Sequence, residues 1–196
     1  MKIATAFIVI LSLTLDVVSN SIFIKRDVNH YLTVLHMLVP PLQELNDALE
    51  SRDLQNIVLL GPKMDDALRD GLESLRLDVP LPTVEDSLLL RSPLEELEFL
   101  AYHLVNLLIG LKDLFISAGI GDFIREILKR LHSGFLSLCN LLSARVSPEV
   151  EHIIEDLCSS AVLAYQRGID AYNTTPTSTT ISPTPSTTST STTTIP

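Results

Sequence analysis

The residues able to do chemistry are few and poorly grouped. Five histidines occur, His30, His36, His103, His132 and His152, and no two stand three or four apart, so no helix offers a two-imidazole metal face. There is no G-x-S-x-G elbow, H-E-x-x-H pair, phosphate-binding loop or G-x-G-x-x-G fingerprint. Gly119-Ile120-Gly121 comes nearest to a glycine loop and reads better as a helix C-cap and turn. The carboxylate pairs Asp65-Asp66 and Glu95-Glu96 belong to helix starts or solvated faces, where they serve capping and solubility. An esterase without a recognised motif would need a serine beside a histidine on a helix pair, a juxtaposition that spacing along the chain does not specify. The sequence therefore predicts no catalysis, no metal and no cofactor.

Two further features carry covalent chemistry. Cys139 and Cys158 flank a turn at 144–148, so antiparallel helices would set them on facing segments. On a secretory route a disulfide is the expected outcome; it closes a loop of about 20 residues and adds about 3 kcal/mol in the chain-entropy account. The alternative is two buried free thiols. Asn173-Thr174-Thr175 is the chain's N-glycosylation sequon.

The secretory route is read from the chain's start. Lys2 precedes an apolar run from Ile3 to Leu15, ended by Asp16, and Val17-Val18-Ser19 fits a signal peptide of residues 1–19 cleaved after Ser19. The run is too short to span a bilayer. Lys25-Arg26 is a dibasic pair directly before the helical pattern, so residues 20–26 read as a short propeptide cut after Arg26. At the other end, 17 of the 24 residues 173–196 are Ser or Thr and 4 are Pro. Such a segment has almost nothing to bury; it reads as a disordered, O-glycosylated tail. No apolar tail follows it, so no GPI signal is visible.

Between these ends, residues 27–172 form one domain. The chain is 46% hydrophobic with a mean hydropathy of +0.32, no Trp and only 7 Gly in 196 residues, which disfavours a turn-rich β fold. A net charge of −10 without a basic cluster excludes nucleic acid and electrostatic docking on anionic lipid. Apolar spacing of three and four predicts helices throughout. The first runs from Asp27 through Leu49, kinked or divided at Pro40-Pro41. The second starts at a capping Asp53, is interrupted at Gly61-Pro62 and continues through Leu75. Thr83 caps a short helix. Ser92-Pro93-Leu94-Glu95 reads as a capping box opening a helix that runs to Ala118, and further helices begin at Asp122 and after Ser147-Pro148. The fold class is all-α, a single bundle of about five to six mostly antiparallel helices followed by the tail.

The helix from Pro93 to Ala118 is apolar nearly all round, which places it centrally. Leu and Ile on several faces of several helices fit either a thick solid core or an interior left partly open as an aliphatic cavity. An open interior would take a fatty acid or other lipid, with Phe99, Leu104, Leu107, Leu108, Leu111 and Phe115 as its wall. His103, beside Asn106 on the same helix, is the candidate contact for a polar head, or else a satisfied core or rim histidine. A third reading has the helices present Leu-rich faces to a hydrophobic surface.

The order of signal peptide, Lys25-Arg26-Asp27-Val28, the helix Val28-x-x-Tyr31-Leu32-x-x-Leu35, a Leu-rich helical domain and a Ser/Thr/Pro tail resembles the fungal hydrophobic surface binding protein A family, which includes the antigenic cell wall galactomannoproteins. The resemblance covers residues 20–172. It implies an all-α bundle of about five helices, no catalysis and a secreted or wall-associated mannoprotein whose glycosylated tail meets cell wall polysaccharide. It also implies binding of fatty acids in a central cavity or of hydrophobic surfaces. Its Leu content and Pro40-Pro41 depart from the usual pattern.

Overall fold

The computed structural model describes residues 28–81 and 83–173. Ser19, Arg26 and the Ser/Thr-rich segment 174–196 lie outside them, while Asn173 is exposed as the last residue of the last helix. Among the described residues every regular element is helical: α1 (28–50), α2 (Leu54–Leu75), α3 (Val84–Leu88), α4 (Arg91–Gly110), α5 (Lys112–Ser117), α6 (Gly121–Ser143) and α7 (Pro148–Asn173).

Five of these close into a ring. α1 packs on α2 through Val34 and Leu38, which press on Gly71; α2 packs on α6, α6 on α7, and α7 on α4. The ring is completed where Asn46 Nδ2 donates to the Leu100 carbonyl at 3.2 Å, joining α1 to α4. The five ring helices alternate in direction along the chain, with α1 and α2, and α6 and α7, antiparallel across short turns. Ring closure also sets α1 beside α4, α2 beside α6 and α4 beside α7 in the same direction: Leu94 and Leu97 lie by Leu157 and Ala161, and Tyr172 donates to the Leu108 carbonyl. The core is a single apolar cluster of Leu, Ile, Val and aromatic side chains from all five helices.

The helix boundaries follow local chemistry, with four departures from the sequence pattern, one of them the division of the expected Pro93–Ala118 helix at Leu111 into α4 and α5. α1 continues through Pro40-Pro41, with Pro40 exposed and Leu38, Leu42, Leu45 and Leu49 buried in one phase. α2 likewise continues through Gly61-Pro62. Gly61 serves close packing there and not a break: a methyl in place of its hydrogen would lie 3.3 Å from Ile127 Cγ1 of α6. α4 starts at Arg91, so Ser92 does not cap it. The turn after α3 keeps helical torsions through Leu90, and Leu94 N–H bonds directly back to the Leu90 carbonyl at 3.2 Å. Pro93 then falls in the first turn, where backbone N–H groups have no intrahelical partner to lose.

Other boundaries match their signals. Asp53 accepts from Asn56 N–H, and Thr83 from Asp86 N–H. α5 is closed at Gly119, φ 75°, where Ile120 N–H reaches the Phe115 carbonyl and Gly119 N–H the Ile116 carbonyl in a Schellman close.

Candidate functional site

The structure scatters the expected binding wall. Leu104 and Phe115 are fully buried in the core and Leu108 nearly so, whereas Leu107 and Leu111 are half-buried. Phe99 is 69% exposed and stacks on His103 at 6.3 Å, outside the bundle. His103 Nε2 meets Glu50 Oε1 at 2.8 Å across the α1–α4 surface, so it ties two helices together and does not face the interior. Leu108 of the expected wall borders a pinhole of about 10 Å³ shared with Leu45, Ile57, Gly61, Phe123 and Leu131. The reason is density: the buried face of α4 packs closely on its neighbours and leaves almost no space, while Phe99 falls on its outer face.

Space lies instead along the seam of α6 and α7. A groove of about 640 Å³ is lined by Leu136, Cys139, Ala144, Cys158, Val162 and Leu163, with Asn140, Ser143 and Ser159 between them and Glu151 and Glu155 also on its wall. That volume lies within the roughly 300–1,000 Å³ of small-ligand pockets. Behind it, Leu94, Leu97, Phe135, Leu138, Leu157 and Ala161 enclose a second pinhole of about 10 Å³. Cys139 and Cys158 line both spaces, so they form the partition between groove and interior.

The two cysteines meet across the seam as their spacing predicts. The expected disulfide is not formed in the structure: both are free, buried thiols. Hydrogen bonding to Cys158, then burial, pushes the Cys139 thiol well above its ordinary pKa and keeps it protonated.

One residue of this region carried no signal in sequence. Tyr165 is fully buried on α7, packed on Phe135 with ring centroids 5.1 Å apart, and Phe135 lines the inner pinhole. Its hydroxyl has no hydrogen-bond partner among the described residues, and burial raises its pKa. A buried hydroxyl left unpaired costs about 1–3 kcal/mol. In the sequence it is one more apolar-phase position, and only the packing shows its oxygen unpaired. No helix among the described residues is long and apolar enough to cross a membrane.

No protein-family model matches the chain. It is homologous to cell wall mannoprotein 1 of Aspergillus fumigatus, 32% identical over 117 residues, which are 60% of this chain and 41% of the relative. To cell wall mannoprotein 1 of Talaromyces marneffei it is 28% identical over 131 residues, 66% of this chain and 28% of the relative. The chain thus spans well under half the length of either. Its fold matches ligand binding domain 1 of Penicillium marneffei MP1 protein, solved with arachidonic acids, at TM-score 0.71 and 24% identity over 74% of this chain and 98% of that one. Ligand binding domain 2, solved with multiple arachidonic acids, matches at TM-score 0.72 and 24% identity over 76% and 97%. Afmp4p in complex with palmitic acid matches at TM-score 0.62 and 14% identity over 76% and 99%.

Proposed function

From the homology to fungal wall mannoproteins, we propose that the chain is a secreted, wall-associated mannoprotein whose helical domain binds a fatty acid in the α6–α7 seam. The observation that carries the reading is an unpaired hydroxyl beside an apolar interior: Tyr165 supplies a donor where a carboxyl oxygen would accept. The solved relatives with this fold hold arachidonic or palmitic acid, which supports the ligand class.

The acyl chain passes between Cys139 and Cys158 from the groove into the space bordered by Phe135, Leu138, Leu157 and Ala161. The seam opens to admit it, and each CH₂ buried contributes about 0.8 kcal/mol toward that opening. Glu151 and Glu155 repel a carboxylate from the outer groove and burial favours the neutral acid, so the carboxyl end goes inward protonated, toward Tyr165. The glycosylated tail after Asn173 keeps such a protein soluble and holds it in the polysaccharide of the wall.

Titration of the delipidated full chain with palmitic and arachidonic acid, followed by native mass spectrometry, tests this reading. Saturable binding is expected, and Tyr165→Phe should weaken it about 5- to 10-fold, the value of one hydrogen bond of about 1–1.4 kcal/mol. No acyl species bound at any concentration would overturn it.

A further inference from the structure

The first turn of α1 lies against the last turn of α2, and there the bundle assembles a chain of three side chains that the sequence keeps 44 and 48 residues apart. Ser74 Oγ is 2.9 Å from His30 Nε2, and His30 Nδ1 is 2.7 Å from Asp78 Oδ2. An ionised carboxylate only accepts, so Asp78 fixes the imidazole proton on Nδ1. Nε2 then presents its lone pair to the Ser74 hydroxyl, which donates to it. This is the order of groups that activates a serine for acyl transfer on several unrelated folds, recognised by geometry and not by sequence position.

Asp78 is held in place for this. Its N–H bonds to the Leu75 carbonyl at 3.2 Å. Tyr31, next to His30, donates to the carbonyl of Val79, next to Asp78, and itself accepts from Arg145. The Asp78 side chain is only 16% exposed, whereas that of His30 is 40% exposed and Ser74 faces solvent.

Ser74 also lines a groove of about 320 Å³ between α1 and α2, whose other walls are Val34, Met37, Leu38, Pro41, Ala67 and Gly71. The remaining lining residue is Asp70. Its carboxylate disfavours a fatty acid anion in this groove and admits a neutral ester, then repels the acid formed from it.

We propose that Ser74, His30 and Asp78 form a nucleophile–base–carboxylate triad that hydrolyses neutral esters of apolar acyl chains bound in the α1–α2 groove. Ser74 Oγ bonds to the ester carbonyl carbon while its proton passes to His30 Nε2. The carbon–oxygen bond to the alcohol breaks, and the alcohol leaves with that proton. Water, deprotonated by the same imidazole, then cleaves the acyl-serine, releasing the acid and restoring Ser74. No other reactant is needed. The site lies on the other side of the ring from the α6–α7 seam and is independent of the fatty-acid reading.

The test uses the full chain and a fluorophosphonate carrying an alkyl chain, read by intact mass and peptide mapping, beside hydrolysis of p-nitrophenyl butyrate and octanoate. One adduct on Ser74 is expected. Its formation should slow by at least about 100-fold in His30→Gln, the low end of what a general base contributes, and less in Asp78→Asn. Ester hydrolysis should fall to the solution rate in Ser74→Ala. Unchanged melting of the three variants shows that the loss is chemical. No adduct, an adduct elsewhere, or a labelling rate indifferent to His30→Gln overturns the proposal. Palmitate titration of the same samples reports on the seam separately, so either idea can fail alone.

Discussion

α4 and the α6–α7 seam answer the same question, where an apolar ligand could lie, in opposite ways. α4 is the most apolar helix, and its buried residues Leu94, Leu97, Leu104, Val105 and Leu108 face α7, α1 and the centre with almost no space between. α6 and α7 are amphipathic, with charged and hydroxyl side chains interleaved among Leu, Val and Cys, and their seam opens into a groove. Apolar density thus marks where packing closes. Mixed polarity marks where it stops, because a face that must satisfy water on one edge does not recruit a neighbour there.

The largest expected effect tests the closed side. Leu104→Ala should cost about 2–5 kcal/mol in urea unfolding, because the side chain is fully buried and the surroundings cannot collapse completely onto the void. A cost under about 1 kcal/mol would mean that α4 already lines open space, and the contrast would fail. Leu108→Trp, tolerable in an open cavity, should here destabilise by about 1–3 kcal/mol, since the space beside Leu108 is about 10 Å³.

The partition of the seam gives the next effect. Oxidation during secretion is expected to join Cys139 and Cys158, which already touch, and reduction of that bond should lower stability by about 3 kcal/mol. Thiol labelling of the secreted protein, unfolded without reductant, should find no free cysteine. Quantitative labelling of both would show that the partition stays two thiols.

Smaller effects separate binding from folding. Val162→Trp should fill the groove, leave unfolding nearly unchanged and weaken palmitate binding by at least about tenfold, or about 1.4 kcal/mol. Equal affinity would place the ligand elsewhere. Phe99→Ala should change stability by no more than about 0.5 kcal/mol and leave lipid binding intact, because the ring lies outside the bundle. A clear loss of binding would place the site on the outer face of α4.

Much of the fold is legible in sequence because it rests on local rules. Period-3.6 apolar spacing, the caps at Asp53 and Thr83, Pro148 opening α7 and Gly119 closing α5 are each decided by a few neighbouring residues. The facing of Cys139 and Cys158 follows from a short turn between long helices. The fatty-acid class comes from the resemblance to a family together with aliphatic content.

What the tertiary structure alone decided is which faces meet and which remain apart. Gly61 looks like a break in the sequence, yet it and Gly134 let α2 and α6 approach, and a methyl at Gly134 would run into the Leu68 side chain. The unpaired Tyr165 hydroxyl, the groove beside Val162 and the meeting of Ser74 with His30 depend on ring closure between helices far apart in the chain. Periodicity says that a face is buried. It does not say against what, because side chains of equal polarity pack with any complementary neighbour, and only the closed ring selects one.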